Sequence, residues 1–123
     1  MMVDNAETLR FLKTREAKRQ RRLDRLFKQA TDDCARIVQF IINEFDPTEV
    51  WQWGSLLYRP KYSEYSDIDI AVSGLADPTS IFEILRCAED ETVLPLDIVE
   101  LERIEREFAN LIRLKGVRIY ERP

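Results

Sequence analysis

From Met1 to Asp46 the chain contains neither glycine nor proline, and Pro47 follows at once. A stretch that lacks both helix breakers and is rich in Leu, Arg, Lys, Gln and Glu has one economical conformation, a long α-helix. The spacing predicts helix over about residues 5 to 45, ended by Pro47. More than a third of the 123 residues are thereby committed, and any sheet must come from the remainder. The two halves of the helix differ. Cys34, Ile37, Val38, Ile41, Ile42 and Phe45 follow the i, i+3, i+4, i+7 pattern of a core-facing stripe. The first half has few apolar positions, Leu9, Leu12, Leu23, Leu26 and Phe27, so it packs on a partner surface or projects. Thr31 marks a candidate cap or break between them. We therefore divide the chain into a basic helical arm, 1–30, and a folded domain, 31–123.

After Pro47 the pattern changes from helical to alternating. Glu49 to Ser55 (EVWQWGS) is rich in strand formers and stops at Gly54. Leu56 to Ser66 is a loop, Asp67 to Ser73 (DIDIAVS) a second strand, and Thr79 to Ala88 a short helix. Val93 to Leu101 (VLPLDIVEL) reads as a third strand, with Pro95 at its start or on an edge. Leu101 to Leu114 is helical, Gly116 falls where a helix C-cap glycine belongs, and Val117 to Glu121 forms a last strand. The fold class is mixed α/β or α+β: a small sheet of about four strands with helices packed on it, preceded by the long basic helix.

There is no histidine. That removes Ser-His-Asp and Cys-His catalysis, histidine general bases and histidine-ligated metals. Cys34 and Cys87 are too few and too far apart for a zinc site, and each fits a buried reduced thiol. The remaining chemistry belongs to carboxylates, Lys, Arg, Tyr, Ser or a hard cation, which favours magnesium or manganese. No apolar run is long enough to span a bilayer, and the charged N-terminus lacks a signal core, so a cytoplasmic location is expected.

Charge is unevenly spread. Between Arg10 and Lys28 there are nine basic residues against two acids, Glu16 and Asp24. That local +7 sits in a chain of net charge −4, leaving −11 for the rest. Such an arm fits a nucleic acid, an acidic partner or its own body, and equally an ordinary solvated helix face.

The chemistry concentrates on the second and third strands. Alternation puts Asp67 and Asp69 on one face, about 7 Å apart along the strand. Ile68, Ile70 and Val72 point the other way and anchor the strand. Two like charges so placed repel unless a cation lies between them. Asp97, flanked by Leu96, Ile98 and Val99, repeats the logic. Three carboxylates from neighbouring strands are what a two-metal phosphoryl-transfer site needs. Gly54 lets backbone approach a phosphate, and the Ser55 hydroxyl can hold its oxygens. Trp51 and Trp53 read as sheet-face packing, and Tyr58, Tyr62 and Tyr65 as loop tyrosines that could also stack a base.

The stretches WGSLLYRPKYSEYSDIDIAV and LPLDIVEL, with the closing KGVRIYE, resemble the minimal nucleotidyltransferases of the polymerase-beta-like superfamily. The resemblance covers roughly residues 34 to 122. It implies a nucleotidyltransferase fold that uses ATP, or another nucleoside triphosphate, with two magnesium ions, manganese being an alternative. Ser55 would contact the triphosphate, Asp67 and Asp69 would ligate both metals, and Asp97 would ligate the catalytic one and help activate an acceptor hydroxyl. Some members transfer AMP to tyrosines of a HEPN-type toxin and act as its antitoxin, which implies a protein partner. The spacer from Ser55 to Asp67 holds eleven residues, one more than is usual, with Leu56 and Leu57 where the family often has an arginine. Arg59 and Lys61 are therefore expected to join Gly54 and Ser55 in nucleotide binding. Two other classes stay open: a fold of this type that only neutralises or tethers a partner, and a nucleic-acid binder acting through Arg10 to Lys28.

Overall fold

The computed structural model describes residues 5–123. Helix α1 spans Asn5–Phe45 as one uninterrupted rod, so Thr31 is neither a cap nor a break. Its helical hydrogen bonding needs no interruption there, because the apolar stripe continues in phase across it: Leu23, Ala30, Cys34, Ile37 and Ile41 are all buried. Residues 5–22 are exposed throughout, and burial against the body begins at Leu23. At 1.5 Å per residue the projecting part is roughly 27 Å long.

Strand β1 (Glu49–Trp53) is followed by two short 3-10 turns, Ser55–Leu57 and Arg59–Lys61. Then come β2 (Ile68–Ser73), helix α2 (Ser80–Glu89), β3 (Leu96–Glu100), helix α3 (Arg106–Lys115) and β4 (Val117–Glu121). The third strand starts after Pro95, not at Val93, because proline offers no N–H to a ladder; its carbonyl instead accepts from Ile68 N–H at 2.8 Å. The last helix starts at Arg106, since residues 101–104 form a turn that carries the chain across the sheet.

The four strands are ordered β3-β2-β1-β4. β2 pairs in parallel with β3, and β1 is antiparallel to both β2 and β4. One face of this mixed sheet packs on α1 and α2, where Val50, Ile68, Ile70, Val72 and Ile98 meet Ile37, Ile41 and Ile84. The other face is smaller. Ala71, Trp51, Trp53 and Val99 pack there against Leu101, Phe108, Ala109 and Ile112. This two-faced burial is why β2 reads DIDIAV: isoleucines enter the main core while the alternate positions face the second layer.

Asp33, buried on α1, anchors the approach to β3. One of its oxygens accepts from Thr92 Oγ1 and the other from Arg36 Nη2, each at 2.7 Å. Arg36 in turn donates to the Glu91 carbonyl at 3.0 Å. Gly116 caps α3 by donating to the Ile112 carbonyl at 2.7 Å. Its backbone is extended rather than left-handed, and glycine is required by space: a Cβ would stand 2.6 Å from Ile112 O and 2.9 Å from Gln52 O. Among the described residues no helix is long and apolar enough to cross a membrane.

Candidate active site

The parallel pairing of β2 with β3 sets Asp69 directly beside Asp97. On the other side Asp69 faces Trp53 of β1. Asp97, Asp69 and Trp53 thus form a row across the second face of the sheet. Asp67 precedes β2 by one residue and is exposed at the mouth of this row. Asp69 is only 7% exposed. Burial, then the charges of Asp67 and Asp97, push its carboxyl up from 3.8 to about 7. Asp97 is raised as well, by burial and by the charge of Asp67. The same field reaches through the sheet: the buried Cys34 thiol is pushed up to about 11, by burial and then by Asp69. Among the described residues no ion pair or hydrogen bond relieves any of the three acids.

The turn after β1 is fitted to this row. Gly54 has φ of +84°, a conformation that side-chain-bearing residues rarely adopt. A Cβ there would also land inside the contact radius of the Asp69 carboxylate. Backbone and carboxylate can therefore approach only because position 54 has no side chain. Ser55 follows at the start of the first 3-10 turn, its carbonyl accepting from Tyr58 N–H at 3.2 Å. From Gly54 and Ser55 a cleft of about 670 Å³ opens along α3, walled by Trp53, Tyr58, Phe108 and Leu111, with Lys61 and Lys115 on its rim.

Of the residues expected to bind nucleotide, Gly54, Ser55 and Lys61 line this cleft and Arg59 does not. Arg59 turns back onto α1. Its Nε donates to Asp24 at 2.8 Å, its Nη2 reaches Gln20 Oε1 at 3.3 Å, and its guanidinium lies 5.9 Å from the Phe27 ring centroid. It is a strut between the loop and the helix. Lys115 and Phe108 were not anticipated. They lie some sixty residues from Gly54 in sequence, and their only trace is the i, i+7 spacing on the apolar face of α3.

Three carboxylates, with Asp69 and Asp97 raised in proton affinity and no soft donor beside them, form a set that suits a hard divalent cation. Among the described residues the carboxylates are not already gathered on a single point, so their side chains would have to turn inward to share an ion. The cleft beside them offers apolar and aromatic walls for a base and lysines for phosphate oxygens. Comparison with known proteins agrees with this chemistry. A family model described as Polymerase beta, Nucleotidyltransferase matches residues 35–123. No curated protein shows significant similarity to the chain. Since that match covers well over half of the sequence and includes every strand of the sheet, the chain belongs to the polymerase-beta-type nucleotidyltransferases.

Proposed function

We propose that the protein transfers a nucleotidyl group, AMP, from magnesium ATP to an acceptor hydroxyl. The observation that carries this reading is the register of β2 and β3, which places Asp69 and Asp97 side by side with Gly54 pressed against Asp69. In this reading Asp67 and Asp69 would hold two magnesium ions, for which manganese could substitute, and Asp97 would join in holding the catalytic one. Magnesium, when bound, neutralises the triphosphate and draws electron density from the α-phosphorus. Ser55, Lys61 and Lys115 hold the phosphate oxygens, and Trp53 and Phe108 border the base. The acceptor oxygen bonds to the α-phosphorus, the bond to the β-phosphate bridging oxygen breaks, and pyrophosphate leaves. The acceptor proton passes to a carboxylate, a role this reading gives to Asp97. Positioning and charge neutralisation supply most of the rate.

A tyrosine of a HEPN-type toxin partner is the acceptor that resemblance to the minimal nucleotidyltransferases points to. A second reading, a catalytically weak module that neutralises or tethers its partner, draws on one observation: Arg59 is committed to Asp24 and is not free for phosphate. ATP labelled on its α-phosphate, incubated with magnesium, the protein and a lysate, separates the two. Transfer predicts label on a protein band, lost with Asp69→Asn and absent in EDTA. Stable capture of a partner with no label on any protein would favour the module and reject transfer.

A further inference from the structure

The projecting half of α1 plays no part in the chemistry above. Its cations fall into two groups. Arg22 pairs with Glu64 at 2.6 Å, Arg19 with Glu16 at 3.4 Å and Lys28 with Asp32 at 3.0 Å. Among the described residues, Arg10, Lys13, Arg15, Lys18, Arg21 and Arg25 have no carboxylate partner. All six are exposed. Five of them, all but Arg15, point within a single arc of the helix turned away from the side that meets the body at Leu23 and Ala30. They follow one another over roughly 22 Å, a cation about every 5 to 6 Å. A nucleic-acid strand offers a phosphate about every 3.4 Å along its axis, so its continuous run of charge can serve each of these unevenly stepped cations in turn. An acidic protein would have to match each one with a separately placed carboxylate. Phe11, 65% exposed within the same stretch, adds a ring on which a base can stack.

The root of the arm is also tied to the body. Arg22 to Glu64 and Arg59 to Asp24 latch its root to the loop that carries Lys61. A concavity of about 1100 Å³ lies at that root, bordered by Arg15, Arg19, Arg22 and Glu64. We propose that this exposed face of α1 binds the phosphate backbone of a nucleic acid, and that the latch fixes the orientation of the bound strand relative to the nucleotide cleft. The proposal does not depend on the transfer reaction, because none of the six cations contributes to the acid cluster or the cleft.

The test uses the full-length chain, a fluorescent 20-nucleotide RNA and a 20-base-pair DNA, with anisotropy read across a salt series in EDTA. Full engagement of the five cations on this face predicts a slope of log K against log salt of about −3.5 for the single strand and about −4.5 for the duplex. The variant Lys13→Gln, Lys18→Gln, Arg21→Gln should more than halve either slope with unchanged circular dichroism. Asp69→Asn should bind nucleic acid as the wild type does, which separates this proposal from the transfer reaction. No binding at low salt would overturn it. So would a slope unchanged in the triple variant, poly-glutamate binding as tightly as RNA, or a dimer that the triple variant converts to monomer.

Discussion

Asp69→Asn is expected to make the metal-free protein more stable, by an amount that depends on pH. The wild-type carboxyl titrates near 7 in the folded chain against 3.8 for an ordinary aspartate. A folded-state pKa above the unfolded one means that the folded chain binds the proton more tightly. Its contribution is fully favourable below about pH 4 and is lost as pH rises through 7. At roughly 1.4 kcal/mol per unit, a shift of about three units sets a ceiling of about 4 kcal/mol on the loss. Asparagine carries no charge and escapes that loss. Urea unfolding of both proteins in EDTA, at several values from about pH 4 to about pH 8.5, isolates the effect as a difference. The two should be nearly equal at the acid end, and the variant ahead by up to about 4 kcal/mol at the alkaline end. Magnesium should then close most of that gap near neutrality: a cation at 100 times its dissociation constant adds about 2.7 kcal/mol to the chain that binds it, and at about 1,000 times about 4.1 kcal/mol. A gap that stays flat across this range would refute the electrostatic account of the acid row.

Two substitutions on the loop should part company. Lys61→Ala is expected to raise the KM for nucleoside triphosphate about tenfold, the loss of one charge-assisted contact, while leaving urea unfolding unchanged. Arg59→Ala should leave KM alone and cost about 1 kcal/mol of stability, as befits a partly exposed strut to Asp24. Gly54→Ala should lower stability by about 2–3 kcal/mol, from the left-handed backbone and the collision with Asp69 together. Its thermal melting should recover when Asp69→Ala is added, because the smaller side chain removes the collision but not the backbone strain, so the rescue is partial.

Much of this architecture was legible because the signals were local. The helix followed from forty-six residues without a breaker, and β2 from the strict alternation of DIDIAV. Alternation also put Asp67 and Asp69 on a common side. What alternation could not supply was the partner of β2, and hence whether Asp97 would stand beside Asp69 or behind it; that depends on a pairing across 28 residues. The attachment of Arg59 to α1 was hidden for the same reason. Its sequence neighbours point to a phosphate loop, while the groups that hold it, Asp24 and Phe27, lie on a helix that ended fourteen residues earlier. Lys115 and Phe108 carry no motif at all, and only folding brings them to Gly54. Thr31 looked like a cap because its residue type is favoured there, yet tertiary packing along the continuous stripe overrode that preference.

The parallel ladder between the second and third strands has a final consequence, for assembly. Sliding β3 by one residue would turn Asp97 into the isoleucine-rich layer and expel Ile98, a penalty far beyond what the molecule can absorb. A slide by two would keep the alternation but set Asp69 opposite Val99 and Ile70 opposite Glu100, so it too would break the apolar layer. Closing the core and juxtaposing the acids are thus one event, and a preparation cannot hold a well-folded fraction with its carboxylates out of line. Any shortfall in specific activity should track the unfolded fraction in proportion.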